Sequence, residues 1–435
     1  MNDKKPRLLI YESHSELFDL HGATHQFTEG VQSSAAKSRS KRIQDSLKSG
    51  YLQAQLSSVL ADPKLNFCGD DSASIAIWHS LESLVQSVTG QYGRALVGLS
   101  IIQAAIKAIE AEQSIRLHKS GHRDSFGWQE GISMRSIDKT YITPFLRKNK
   151  LLNVNADGVM MTRTLAENYP YSSQYKADIR GAKKEWLEVV EFLEANPTRA
   201  EGVLKTLLAL LIRANNSFEN TGSRLLNLSE KYISRDRALE DLMKVFHAVL
   251  TRATHPARLF EIILHSLAQV VIDEDIRDER KLVPLSQMRS ANKKHGNIAD
   301  VEFSIDGSIV EAWEAKFEKT YLLEEVGEIE DKFSTWPLAK RVGFVVYGSP
   351  KVDSELRKRI DLISGRTGVV LEIFSFDQWV SAMIEESSVG AEDVPNGWIN
   401  AVAQSLAGHR RAIAPIDEPT DSWMETLCDV LAESL

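Results

Sequence analysis

Asn297-Ile298-Ala299-Asp300-Val301-Glu302-Phe303-Ser304-Ile305, then Asp306-Gly307, then Ser308-Ile309-Val310-Glu311-Ala312-Trp313-Glu314-Ala315-Lys316-Phe317 is the stretch whose reading decides the fold. Two apolar, β-rich runs flank an Asp-Gly pair, the strongest short-range signal for a tight hairpin. Residues two apart on a strand share a face, so Glu314 and Lys316 point the same way, and pairing across the hairpin brings Asp300 within reach of both. Two carboxylates and a lysine converging on one sheet edge can hold a hard divalent cation and prepare a water for attack on phosphate. Trp313, Ala315 and Phe317 fall on the opposite face and are expected to meet the core. The competing reading is a solvated face of a two-faced sheet, with Lys316 an ordinary surface ion-pair partner.

Outward from the hairpin, helical periodicity marks Pro256–Leu267 before it, and residues 322–333 and 352–364 after it. Strands are expected at Arg341–Tyr347 and Val369–Phe374. Asp300 followed after 14 residues by Glu314-x-Lys316, within this order of helix, hairpin, helix, strand, helix, strand, resembles the PD-(D/E)xK nuclease superfamily. Ala299 stands where the proline of that motif would be. The resemblance implies an α/β nuclease core over 251–387 and Mg²⁺ held by Asp300, Glu314 and the carbonyl of Ala315. Asp300, Glu314 and Lys316 would form the catalytic set. In that core a glutamate of the first helix often completes the metal site, a role falling here to Glu261. Glu261 lies in an apolar run, where a carboxylate is costly unless paired or metal-bound. A helix boundary facing solvent accounts for it equally well.

The chain has 435 residues and a net charge of −8, too long for one growing core and unlike a general polyanion binder. Its basic residues are clustered: Lys37 to Arg42, Arg289 to Lys294, and eight between Ile115 and Lys150 against three acidic ones. Such patches on an acidic protein suit duplex DNA on one face. Cys68 and Cys428 support neither a disulfide framework nor a cysteine zinc site, and no apolar run is long enough to span a bilayer. A cytoplasmic protein without a signal peptide is expected.

The expected fold class is α+β and multidomain. Residues 1–134 would be a helical domain behind an irregular arm at 1–30. Residues 135–185 would be a DNA-reading segment, 186–250 a helical connector, 251–387 the nuclease domain and 388–435 a helical tail. Within the reading segment, a helix at Ser136–Lys148 followed by a hairpin at Leu151–Thr162 around Asp157-Gly158 suggests a winged-helix-like element. An ordinary α/β insertion is the alternative. Arg147, Lys148, Arg163, Asn168, Gln174 and Arg180 are the DNA-contact candidates here, with Lys293 and Lys294 before the hairpin. Asn and Gln pair bidentately with adenine, and Arg with guanine.

The wording of Tyr141–Arg147 and Met161–Tyr171 resembles the SacI family of restriction endonucleases. That resemblance implies a palindromic double-stranded DNA target, Mg²⁺-dependent cleavage of both strands, and a homodimer. Other readings of the same core are a structure-selective repair or junction nuclease, and a non-catalytic DNA-binding regulator.

Overall fold

The computed structural model describes the chain apart from residues 1–5, 20–21, 63–68, 70, 90, 153, 162, 276–277, 286–297, 320, 334–337 and 410–418. Contacts gather it into two compact units, Met1–Ser217 and Phe218–Leu435, an α+β protein with one small antiparallel and one mixed sheet. No helix among the described residues is long and apolar enough to cross a membrane.

In the first unit, β1 (Arg7–Ile10), β2 (His14–Phe18) and β3 (Thr24–Thr28) form an antiparallel sheet. This corrects the expectation of an irregular arm over 1–30. Leu17 and Phe27 are the sheet's buried apolar residues, and they pack with Leu117 and Trp128 from a distant segment. The segment expected to be helical carries α1 (Ser34–Lys48), α2 (Tyr51–Ala61), α3 (Ser72–Gln86) and α4 (Gln91–Ile109). Ser33 and Asp71 accept from backbone N–H groups in the first turns of α1 and α3, replacing bonds that a helix end lacks. A short helix α5 (Met134–Ile137) runs through a π turn at Asp138–Ile142 into α6 (Thr143–Lys148). Then come α7 (Lys183–Ala195) and α8 (Ala200–Ile233), whose length carries the chain past the division.

The winged-helix expectation is not met. Among the described residues of 151–162 there is no strand; Asn155–Gly158 is a turn closed by the Gly158 N–H on the Asn155 carbonyl at 3.0 Å. A 3-10 turn follows at Val159–Met161. Leu151, Leu152, Val154, Val159 and Met160 are all buried in one core, where a hairpin would have alternated. The buried Asp138 carboxylate accepts the Met160 N–H at 2.9 Å and the Thr143 hydroxyl at 2.7 Å, tying this segment to the π turn.

The second unit continues with α9 (Leu239–Arg252) and α10 (Pro256–Glu274). Its mixed sheet has the order β4 (Lys281–Leu282), β5 (Val301–Ile305), β6 (Ser308–Phe317), β7 (Arg341–Tyr347) and β8 (Val370–Ser375). The first three strands pair antiparallel and the last three parallel. Helices α11 (Leu323–Phe333) and α12 (Ser354–Thr367) form the two parallel crossovers. α13 (Phe376–Glu385), α14 (Val394–Gln404) and α15 (Thr420–Ser434) complete the unit.

The Asp306-Gly307 turn forms as expected, with φ of 50° and 78°, the left-handed pair that a two-residue hairpin of this twist requires. One face of the sheet, through Val301, Phe303 and Trp313, joins α10, α13, α14 and α15 in a single core. The other face, through Ala312, Val342, Phe344 and Val346, packs under α11 and α12. β7 is apolar on both faces, as parallel strands between two helical layers are. Gly343 stands where a Cβ would lie 2.4 Å from the Trp313 ring, so only glycine lets that indole seat against β7.

Candidate active site

Asp300 sits just before β5, where its N–H donates to the Trp313 carbonyl at 3.2 Å. That bond sets Asp300 beside the second half of β6. Its carboxylate accepts the Ala315 N–H at 3.0 Å. The stretch leading into Asp300 is held by Glu302, a buried carboxylate that accepts the Ile298 N–H and, at 3.2 Å, the Ala299 N–H.

Glu314 and Lys316 share one face of β6, as alternation requires, and the Lys316 ammonium donates to Glu314 Oε1 at 2.9 Å. The other oxygen, Glu314 Oε2, is buried with no hydrogen-bond partner among the described residues. A buried carboxylate oxygen without a partner is rare and costly. Asp300 is pushed well above the ordinary carboxylate range, chiefly by burial and then by the negative charges of Glu261 and Glu314. The Ala315 N–H and the Arg258 guanidinium oppose that shift. Glu261, from α10, is ion-paired with Arg258 one turn before it.

The structure sets Asp300 against Ala315 and Lys316 against Glu314; Glu261 reaches Asp300 only as a nearby charge and is ion-paired with Arg258. Two further groups were not singled out in the sequence, Arg258 and Glu302. The signal for each was a charge inside an apolar run, Arg258-Leu259-Phe260 and Val301-Glu302-Phe303. Crowded carboxylates with one unsatisfied oxygen have the donor chemistry of a hard divalent cation. Among the described residues no three or more His, Cys, Asp or Glu side chains are gathered as a ligand set. The carboxylates nearest the Ala315 main chain are Asp300, which bonds its N–H, and Glu314, its neighbour on β6.

The DNA-contact candidates fare less evenly. Lys148 and Arg180 are exposed and Gln174 is half-buried, all in the first unit. Arg147 donates to the Val154 carbonyl at 2.7 Å, and the Asn168 amide oxygen accepts from Lys119. The Arg163 side chain, and Lys293 and Lys294 with the rest of the Arg289–Lys294 cluster, lie outside the described residues.

In the other two basic clusters several side chains are taken up by partners. Arg39 bonds Gln113 and Glu130, and Arg42 grips Glu110 through two bonds of 2.6 and 2.9 Å. Arg116 is buried against Glu191 and the Tyr171 carbonyl, and Arg135 donates to the Met160 carbonyl. Counting charge along the chain overstated what reaches the surface, because the acidic partners come from distant segments.

Compared with known proteins, the chain matches no protein-family model and no curated protein sequence.

Proposed function

We propose that this protein is a Mg²⁺-dependent endonuclease of the PD-(D/E)xK kind, and specifically a type II restriction endonuclease acting on double-stranded DNA as a homodimer. The observation that carries this reading is the placement of Asp300 against the Glu314-Ala315-Lys316 run of β6, its carboxylate accepting the Ala315 N–H. One Glu314 oxygen has no partner, and Lys316 lies 2.9 Å from the other. Neighbouring carboxylates with an unsatisfied buried oxygen are poorly stable alone and complementary to a divalent cation.

Asp300 and Glu314, with the Ala315 carbonyl, would hold the ion. When bound, Mg²⁺ supplies Lewis-acid polarisation of the phosphate and a water of lowered pKa. Lys316, fixed by Glu314, sets a positive charge where negative charge grows on the phosphate oxygens. The Ala315 N–H keeps the Asp300 carboxylate turned toward β6, and the Glu302 carboxylate keeps the chain before Asp300 in place. Exposed Lys148 and Arg180 would contact the phosphate backbone or the bases of the target. Cutting both strands of a symmetric site calls for two such centres, hence the homodimer.

Incubating the full-length protein with plasmid DNA and Mg²⁺ tests the reading. Discrete fragments support it. Cutting confined to branched junctions would replace it with a structure-selective nuclease. A mobility shift without cutting, in Mg²⁺ and in Mn²⁺, would replace it with a DNA-binding regulator.

A further inference from the structure

The second unit carries a groove of about 460 Å³ between Leu323, Glu324 and Gly327 of α11 and Lys358, Arg359 and Leu362 of α12. Its two walls differ in sign. Glu324 and Glu328 are exposed on α11, and Lys319 beside them is held by Glu325. α12 presents Arg357, Lys358 and Arg366 to solvent, against Glu355 and Asp361. Leu362 is 44% exposed, and the other large apolar side chains exposed among the described residues of this unit, Tyr321, Leu338 and Val370, flank the two helices in the chain. Two glycines on these helices have no reason inside the fold. A Cβ at Gly327 would meet nothing nearer than the Arg359 guanidinium at 3.8 Å, and one at Gly365, a turn beyond Leu362, would meet nothing within 4 Å. Glycine costs a helix more than any residue but proline, so these positions suit the close approach of something outside the fold.

We propose that this groove is the homodimer surface, with a second copy of the chain as its occupant. A two-fold interface sets the same patch of both copies face to face. α11 and α12 cross back over one face of the sheet between parallel strands, so they run in the same direction with the groove between them. Two symmetric arrangements follow. An axis across the groove sets each α11 against the other α11, and Glu324 and Glu328 meet their own kind. An axis along the groove sets the acidic α11 of each copy against the basic α12 of the other. Like charges placed opposite each other disfavour the first arrangement, so the charge pattern selects the second. Leu323 and Leu362 then close over the floor, and Gly327 and Gly365 let the facing helices approach. This rests on the homodimeric reading above and deepens it by naming the surface.

Analytical ultracentrifugation of the full-length protein, without DNA or metal, tests this. Wild type is expected to sediment as a dimer at micromolar concentration. Gly327→Trp, which fills space the fold leaves open, should leave monomer under the same conditions. Lys358→Glu and Glu324→Lys each set like charges at two symmetry-related places, and each should weaken dimerisation by roughly tenfold. Combining them in one chain restores opposite signs and should return the affinity to within roughly threefold of wild type. The charge variants alter exposed side chains, so they decide even if the tryptophan variant fails to fold. A monomeric wild type, a dimer untouched by all of these changes, or a double variant no tighter than the single ones would overturn the assignment. Plasmid cleavage in Mg²⁺ is read separately. A dimer that responds as expected but cuts no DNA keeps this surface and removes the nuclease reading. Cleavage by a dimer indifferent to the charge variants keeps the nuclease reading and removes this surface.

Discussion

Glu302→Ala is the most exacting perturbation of the site's support. The Glu302 side chain is 3% exposed and accepts the N–H groups of Ile298 and Ala299, residues that are themselves buried. Alanine leaves both donors without that acceptor. A buried polar group that loses its partner costs about 1–3 kcal/mol, so the two together set an expected loss of about 2–6 kcal/mol. Glu302→Gln keeps one acceptor oxygen but loses the charge, and should cost roughly half as much. Ser304→Ala, two residues along, removes a 3.3 Å bond near the surface and should cost under about 1 kcal/mol. The assay is urea unfolding of the three variants, followed through intrinsic tryptophan fluorescence. Mn²⁺ titrations accompany it, because a displaced Ile298–Ala299 segment carries Asp300 with it. Weakened Mn²⁺ binding in Glu302→Ala, with Asp300 and Glu314 intact, is the expected signature. A loss of stability no larger than that of Ser304→Ala, with unchanged Mn²⁺ affinity, would refute the positioning of Asp300 by Glu302.

Asp300→Asn keeps an oxygen for the Ala315 N–H but removes a carboxylate that burial and its neighbours hold well above the ordinary value of 3.8. Because the folded-state pKa is raised, the stability this group contributes is present below the unfolded value and lost as pH rises through the folded one. Thermal melts of the metal-free proteins from about pH 4 to about pH 8 should therefore show the variant gaining on wild type as pH rises, and Mg²⁺ should stabilise wild type alone. Lys316→Ala should lower cleavage by roughly 10²–10³, and in the metal-free protein it should also lower the melting temperature, since it strips Glu314 of its ammonium partner. Lys316→Arg should not restore the rate, since a planar fork does not reproduce a compact ammonium; wild-type turnover in the arginine variant would show that any positive charge suffices.

The elements around the site were legible because their signals are local. Asp306-Gly307 dictates a left-handed turn, and the alternation of Trp313, Glu314, Ala315, Lys316 and Phe317 separates a core face from a charged one. Arg341–Tyr347 is a strand with the expected bounds. What was misread depends on partners far along the chain. β2 and β3 contribute little apolar burial of their own, and Leu117 and Trp128 complete their core. The residues around Asp157-Gly158 carry hairpin turn chemistry, yet the buried Asp138 takes the Met160 N–H and the apolar side chains share one core. Arg39, Arg42 and Arg116 read as a basic surface until Glu130, Glu110 and Glu191 arrive to pair with them. At the site itself, the Asp300, Glu314 and Lys316 set followed from spacing. The buried supports, Arg258 and Glu302, needed the three-dimensional packing to show which groups they hold.

The central claim is that Asp300 and Glu314 together make a metal-dependent phosphodiesterase centre. Its most direct measurement is cleavage of plasmid DNA by wild type, Asp300→Ala and Glu314→Ala in Mg²⁺, with DNA binding by the same proteins measured in Ca²⁺. The account predicts discrete fragments from wild type, no cutting by either variant, and DNA binding by all three. Cutting at the wild-type rate by either variant would contradict it.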